Sequence, residues 1–137
     1  MMMKAVQPEQ VDGVWGRVAP LLRRFRAKYD DGPTLGALYD LLQGGHRQMY
    51  VVVDDGDLRA VVLTSIGADG KTMEVPCVAG SDAPGWAQGV IDNIVGMAEA
   101  NGIEKLHIHF RPGWMQMLSL RPSDGWRETA RVFERKL

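Results

Sequence analysis

Hydrophobic residues recur at helical spacing in the N-terminal part of the chain, which predicts an amphipathic helix. Pro8 suits the first turn of that helix, because an amide hydrogen at that position would have no intrahelical partner. Pro20 lies inside the pattern, so we expect a kink there or a break into two segments. A short second helix is predicted between Thr34, which can cap it, and Gly44-Gly45, which end it. The apolar stripe of the first helix comprises Val11, Val14, Trp15, Val18, Leu21, Leu22 and Phe25.

The pattern then changes to short apolar runs rich in β-branched residues, which are typical of strands. Turn signals at DDGD and GADG separate three such runs and predict an antiparallel meander of QMYVVV, LRAVVLTSI and KTMEVPCV. Pro76 falls inside the third run and cannot donate a ladder hydrogen bond, so we expect an edge or a bulge there. Strict alternation would place Glu74 on the same face of this strand as Pro76 and Val78.

A helix from about Trp86 to Ala100 follows and leads into a strand with the sequence KLHIHF. Because a helix connects them, this strand should lie parallel to the third strand through a right-handed crossover. The segment PGWMQMLSL predicts a short helix, and residues 126–137 predict one or two strands, with a helix as the alternative. The element order ααβββαβαβ(β) indicates an α/β (α+β) fold with a mostly antiparallel sheet in a single domain, residues 1–137. The long helix should direct toward the core Val90, Ile91, Ile94, Val95 and Ala98.

The composition excludes several classes of partner. The 137 residues are 45% hydrophobic and 24% charged, and the formal net charge is −1. This balance gives no electrostatic basis for binding nucleic acid or a membrane surface. Cys77 is the sole cysteine, so no internal disulfide forms, and we interpret it as a small buried hydrophobe. No apolar run reaches the roughly 20 residues of a membrane span, and Met1–Lys4 lacks a signal-peptide core. We therefore expect a soluble protein, either cytoplasmic or packaged in a virion.

The element order and the turn between the third strand and the long helix resemble the GNAT family of N-acetyltransferases. The family motif at this turn, Gln/Arg-x-x-Gly-x-Gly/Ala, aligns with DAPGWA, so Gly85 takes the glycine position and Ala87 the final small position. Amides at a helix N-terminus can hold a pyrophosphate there, because they lack intrahelical partners. The resemblance implies a mixed sheet with helices on both faces, acetyl-CoA as cofactor and an amine as acyl acceptor. It also implies cofactor contacts from the backbone of Val75, Cys77, Val78, Gly85, Trp86 and Ala87.

Two features depart from the family pattern. Asp82 stands where the family has Gln or Arg, and as an N-cap its carboxylate would occupy the amide of Gly85 and repel a diphosphate. Residues 115–124, where the family often places a general-acid tyrosine, contain none, although Gly125-Trp126 matches its Gly-aromatic pair. These departures predict weak or absent catalysis. The alternative is a non-catalytic structural or interaction protein of a bacteriophage particle, since short phage GNAT-like proteins are similar at MYVVVDDGDLRAVV and RPGWMQML.

Three side chains are candidates for proton transfer. Glu74 could act as a general base through water, or it could simply be exposed at a strand start. His107 and His109 lie two residues apart and project from one face of a strand, where they could act as acid or base or be structural. A His-x-His pair can also contribute to a zinc site, but no further ligand stands at a recognised spacing. We therefore expect no bound metal.

Large apolar side chains add a last expectation. The tryptophans are interpreted as core residues, because tryptophan buries a large area wherever it lies. The alternative is a groove at one end of the sheet, lined by the last three of them: Trp86, Trp114 and Trp126. The methionines interpreted as core filler are Met49, Met73, Met97, Met115 and Met117.

Overall fold

The computed structural model describes residues 1–29, 32–81, 83–109, 118, 120–128 and 135. The first elements are strand β1 (Met2–Val6), a 3-10 turn (Pro8–Gln10) and helices α1 (Val11–Tyr29) and α2 (Leu35–Gln43). They are followed by β2 (Gln48–Asp54), β3 (Asp57–Ile66), β4 (Thr72–Gly80), helix α3 (Ala87–Ala100) and β5 (Lys105–Ile108). The expected order from the first helix to the KLHIHF strand is confirmed.

The chain begins with a strand, so the expectation that two helices come first is wrong. β1 pairs antiparallel with β2, from Met2 opposite Val53 to Val6 opposite Met49. Its sequence, MMKAV, is short and lacks apolar–polar alternation, so it carries almost no strand signal of its own. The open edge of β2 provides the hydrogen-bonding partners that make this segment a strand.

The five strands among the described residues form one sheet in the order β1-β2-β3-β4-β5. The pairs β1–β2, β2–β3 and β3–β4 are antiparallel, whereas β4 and β5 are parallel. The meander and the parallel crossover through α3 are therefore confirmed.

Helix α1 runs unbroken through Pro20, so the break is wrong, and the alternative, a kink, stays a prediction. The residue whose carbonyl would accept the missing hydrogen bond is Gly16, and both Gly16 and Pro20 are exposed. Water can therefore hydrate that carbonyl, and glycine offers no side chain to crowd the proline ring. The second helix begins as expected, because the Thr34 hydroxyl accepts a hydrogen bond from the amide of Ala37 at 3.2 Å.

Two apolar clusters cover the two faces of the sheet. On the face that packs against α3 (the α3 face), the largest fully buried side chains include Val52, Val62, Val75, Ile91 and Ile94. On the opposite face (the α1–α2 face), they include Val18, Leu22, Leu42, Met49 and Leu63. The core role expected for Val90, Ile91, Ile94 and Ala98 is confirmed, and Val95 is partly buried.

A bulge interrupts β4 at Pro76. Thr64 of β3 stands opposite two residues of β4, because Leu63 pairs with Cys77 while Ser65 pairs with Glu74. The bulge that the sequence allowed is confirmed. The other alternative, an edge, is wrong for Thr72–Val75, which pair on both sides, and the described pairing with β5 ends just before Pro76. The extra residue reverses the alternation, so Val78 packs on the α3 face with Val75. The expectation that Glu74 and Val78 share a face is therefore wrong.

The C-terminal predictions fall mostly outside the described residues, including those for Trp114, Met115, Met117 and most of the tail 126–137. Leu118 is buried and Trp126 is partly buried, and both pack on the α3 face. Gly125 adopts a left-handed conformation with φ 90°, which glycine accommodates without strain. Within the described ranges, no helix combines the length and apolar character that crossing a bilayer requires.

Candidate functional site

Parallel pairing of β4 with β5 brings together the three side chains that were candidates for proton transfer from the sequence. Glu74 lies opposite His107 in the ladder. One carboxylate oxygen of Glu74 lies 2.7 Å from Nδ1 of His107, and the other lies 3.4 Å from Nε2 of His109. A single carboxylate is thus shared by two imidazole rings, an arrangement that we call the Glu–His cluster.

The alternation of β5 explains why both rings meet Glu74. Leu106 and Ile108 pack on the α3 face, so the intervening histidines project on the opposite side of the sheet. Glu74 follows the same rule, because its neighbours Met73 and Val75 are buried on the α3 face. The side chains of Glu74, His107 and His109 are 38%, 43% and 60% exposed, so a solute can reach the cluster.

The geometry defines what the Glu–His cluster can do chemically. An ionised carboxylate only accepts hydrogen bonds, so Nδ1 of His107 is the donor in the 2.7 Å contact. The neutral ring then carries its lone pair on Nε2, which can accept a proton. Among the described residues, no group of three or more His, Cys, Asp or Glu side chains is arranged to hold a metal ion.

β4 extends past the last described pairing with β5. The ladder ends with Val75 opposite Ile108, and the carbonyl of Val75 also accepts a hydrogen bond from the amide of His109 at 3.2 Å. Residues 76–80 of β4 continue beyond that point. Cys77 and Val78 are 7% and 4% exposed, which confirms that Cys77 is a buried apolar residue. Both also make contacts within the protein.

The turn from β4 to α3 is built on two glycines with different roles. A Cβ on Gly80 would overlap the carbonyl oxygen of Arg59, so β3 and β4 approach each other too closely there for any side chain. A Cβ on Gly85 would meet no atom within 4 Å, and Gly85 is exposed at the end of the 3-10 turn Ala83–Gly85. Folding therefore requires glycine at the first position and leaves the second open to a ligand.

Trp86 closes this turn. It is 4% exposed, and its indole N–H donates to the carbonyl of Ser81 at 2.6 Å. Trp86 is also the N-cap residue of α3, with no side-chain capping bond, so the expectation that Asp82 caps this helix is wrong. Asp82 precedes the 3-10 turn and lies outside the described residues. Ala87 is fully buried, and the amide of Trp86 donates to the carbonyl of Ala83 at 3.0 Å. Of the three residues Gly85, Trp86 and Ala87, Gly85 is therefore the one that a ligand can reach in this conformation.

Sequence reasoning missed a groove of about 440 Å³ between α1 and α2. Trp15, expected in the core, is only partly buried, because it lies at the rim of the α1–α2 cluster against Tyr39. The sequence does place an acidic and an aromatic residue on each of the two helices. Whether these four residues line one groove depends on how α1 packs against α2. The residues that line the groove are Asp12, Trp15, Leu35, Gly36, Tyr39 and Asp40.

Comparison with solved structures identifies the architecture. A probable acetyltransferase superimposes with a TM-score of 0.69 at 14% identity, over 100% of this chain and 97% of that one. An aminoglycoside acetyltransferase from an uncultured soil metagenomic sample, solved with sisomicin, has a TM-score of 0.67 at 12% identity, over 99% and 95% of the two chains.

A predicted acetyltransferase from Clostridium acetobutylicum, solved with acetyl-CoA, has a TM-score of 0.62 at 12% identity and covers 98% of this chain and 96% of that one. The chain has the GNAT fold. No protein-family model and no curated protein matches its sequence. In the GNAT fold the missed β1 completes the sheet beside β2, and the Glu–His cluster lies where β4 and β5 stop pairing in the described structure.

Proposed function

We propose that the protein is an acyl-CoA-dependent N-acyltransferase that transfers an acyl group to an amine. The observation that carries this proposal is the Glu–His cluster at the described end of the β4–β5 pairing. A solvent-accessible carboxylate–imidazole pair is suited to general base chemistry near neutral pH. The GNAT fold supports the reaction class, and a neighbour solved with acetyl-CoA supports the cofactor.

The residues present fit an acyl-CoA. When bound, the cofactor supplies an acyl group activated as a thioester. By resemblance to the family, backbone groups of β4 near Val75, Cys77 and Val78 would lie along its pantetheine arm, with Val75 in the last described pair of β4 with β5. The exposed backbone of Gly85 would contact its pyrophosphate, and the open space at this glycine allows close approach.

His107 is the proton acceptor in this proposal, and Glu74 is its positioning residue. The 2.7 Å contact fixes the tautomer with hydrogen on Nδ1, so Nε2 is free to take a proton from the amine. As the amine nitrogen bonds to the acyl carbon, the bond from carbon to sulfur breaks and the thiolate leaves. The carboxylate of Glu74 stabilises the imidazolium that forms. His109, 3.4 Å from the same carboxylate, is the more exposed member of the cluster.

Turnover should be slow. Residues 115–124 contain no tyrosine, so protonation of the thiolate must come from another group or from water. Asp82 also places a negative charge beside the turn where a diphosphate would bind. Weak catalysis therefore remains part of the proposal.

Calorimetric titration with acetyl-CoA tests the proposal, with Gly85→Glu as the diagnostic variant. Both Gly85 and Gly96 have open space for a side chain, so glutamate at either position should leave the fold intact. Gly85→Glu should weaken binding about tenfold, or roughly 1.4 kcal/mol, through repulsion of the pyrophosphate. Gly96→Glu is the matched control on α3 and should bind like the wild type.

The same titration tests the second candidate, a non-catalytic structural or interaction protein of a bacteriophage particle. Asp82 at the turn and the lack of a tyrosine in residues 115–124 favour it. Wild-type protein that binds no acetyl-CoA at millimolar concentration would reject the transferase and leave this candidate. Binding that Gly85→Glu weakens selectively, together with release of thiol when an amine is added, would reject the non-catalytic role.

A further inference from the structure

The groove between α1 and α2 is lined symmetrically by the two helices. Each helix contributes one carboxylate and one aromatic ring: Asp12 and Trp15 from α1, Asp40 and Tyr39 from α2. A volume of about 440 Å³ falls in the range of small-molecule sites. Of the residues that the structure describes, those that line the groove all belong to α1 and α2.

Hydrogen bonds hold the aromatic wall of the groove in place. The hydroxyl of Tyr39 donates to Asp12 at 2.6 Å and accepts from the side-chain amide of Gln43 at 2.8 Å. The rings of Trp15 and Tyr39 meet edge to face, with centroids 5.1 Å apart and an interplanar angle of 68°. Such a contact covers a single face of one ring, so aromatic surface remains available to a ligand.

The electrostatics of the groove favour a cation. Of the described residues that line it, two are acids and none is basic. The hydrogen bond to Asp12 raises the pKa of Tyr39, which therefore stays neutral and leaves both charges to the carboxylates. The side chain of Asp40 has no hydrogen-bond or ion-pair partner among the described residues, and it is exposed at the rim.

We propose that the groove between α1 and α2 binds a small organic cation, an alkylammonium group whose apolar arm lies on the aromatic wall. Carboxylates beside aromatic faces attract an ammonium group through both charge and cation–π contacts. An anion would be repelled by the two aspartates, and a neutral molecule would gain nothing from them. The inference does not depend on acyl transfer, because the groove and the Glu–His cluster share no residue.

The test is an NMR titration of the ¹⁵N-labelled full chain with n-butylammonium chloride, without acyl-CoA and at constant ionic strength. Amide shifts should move at Gly36 and Tyr39, while sodium butyrate and 1-butanol at equal concentration should leave them in place. Asp40→Asn should weaken the apparent affinity about threefold, the size expected for an exposed ion pair. Trp15→Leu should weaken it about fivefold through the lost cation–π contact.

Glu99→Gln is the matched control, since it removes one exposed carboxylate from α3 and should leave the affinity unchanged. Asp40→Asn keeps the test decisive if Trp15→Leu fails to fold, because Asp40 is an exposed residue. Three outcomes would each overturn the proposal. They are equal shifts with butylammonium and butanol, equal affinity of Asp40→Asn and wild type, or no shift with butylammonium at about 50 mM, which is on the order of a weak dissociation constant. None of these outcomes bears on acetyl-CoA binding, which is measured separately.

Discussion

One carboxylate serves two imidazole rings in the Glu–His cluster, and the two contacts are unequal. The 2.7 Å contact with His107 is a short, charge-assisted hydrogen bond when either ring or carboxylate is ionised, whereas the 3.4 Å contact with His109 is long. Glu74 therefore orients His107 more firmly than His109. This asymmetry is the basis for assigning the proton transfer to one ring.

Replacing His107 by glutamine tests that assignment. If His107 takes the proton of the amine, His107→Gln should lower kcat/KM by about 10²-fold or more. It should also remove the dependence of the rate on pH near neutrality, where histidine titrates. Glu74→Gln should lower the rate less, and His109→Gln should change it only a few-fold. Rates within a few-fold of wild type for His107→Gln, with an unchanged pH profile, would assign both histidines a structural role.

Asp82 supplies a second prediction at this scale. Asp82 directly precedes the 3-10 turn in the sequence, and the hypothesis that its carboxylate competes with a diphosphate for the amide of Gly85 stays a prediction. Asp82→Gln should tighten binding of coenzyme A about tenfold, roughly 1.4 kcal/mol, by removing a negative charge from the site. If the wild type binds coenzyme A with micromolar affinity and Asp82→Gln binds it no more tightly, Asp82 does not block the pyrophosphate site.

The sequence was sufficient to recognise the candidate residues, but not to predict which of their side chains are in contact. Glu74 and the two histidines were each recognisable as chemical groups, yet they lie more than thirty residues apart in the chain. Their contact depends on the register of β4 against β5, and one residue of slip would turn both histidines to the other face. The groove at Asp12 and Tyr39 was missed for the same reason, since it depends on how α1 packs on α2.

At the scale of elements, Gly80 fixes how closely β3 and β4 approach. A Cβ there would overlap the carbonyl of Arg59 and the side chain of Ala60, both of which belong to the sheet. Gly80→Ala should therefore lower the free energy of unfolding by about 1–3 kcal/mol, the usual cost of overpacking. Gly85→Ala, five residues away with open space, should stay within about 0.5 kcal/mol of the wild type. Urea denaturation of the two variants measures the difference, and equal stabilities would contradict the close approach.

The turn between β3 and β4 carries a pH-dependent contribution. The amide of Lys71, 2.9 Å from the carboxylate of Asp69, lowers the pKa of that carboxyl, and the amide and hydroxyl of Thr72 lower it further. Because the pKa is lower in the folded state, the stabilisation is complete above the unfolded value of about 4 and is lost as the pH falls through the folded value.

Urea denaturation of wild type and Asp69→Ala checks this sign. The stability difference between them should be largest at pH 6–7 and should shrink as the pH falls below about 4 and through the lowered pKa of Asp69. Glu99→Gln, an exposed change on α3, should show no such trend. A difference that grows toward low pH would contradict the assignment of the lowered pKa.

Helices and strands with strong hydrophobic periodicity were predictable from the sequence. A strand that forms only because it pairs with an adjacent strand was not. Apolar spacing predicts helices α1 and α3, and apolar runs between turn residues predict the three strands of the meander. β1 has five residues and no alternation, so only pairing with β2 reveals it. Pro20 predicted a break that the solvent exposure of α1 makes unnecessary, and Pro76 predicted a bulge without revealing that Val78 changes face.

At the scale of the whole molecule, the sheet is the shared wall of two cores. The α3 face and the α1–α2 face alternate along each central strand, as for Val62 and Leu63 in β3. Loss of packing on either side therefore loosens strands that the other side also needs. The element order was sufficient to predict this architecture, but a fold shared by many activities does not specify the function, which has to be argued from the sites.

The expectation of one domain can be tested by perturbing each core separately. Val18 in α1 and Ile94 in α3 are both fully buried, on opposite faces of the sheet. Val18→Ala should cost about 2 kcal/mol, and Ile94→Val about 1 kcal/mol, from lost apolar burial and the cavities left behind. Because the two residues belong to separate apolar clusters, the loss of unfolding free energy in the double variant should equal the sum of the two single losses within about 0.5 kcal/mol. Circular dichroism and tryptophan fluorescence should report one coincident unfolding transition in every variant, because the strands connect both cores. Two separate transitions, with each substitution shifting only one of them, would divide the chain into independently unfolding parts.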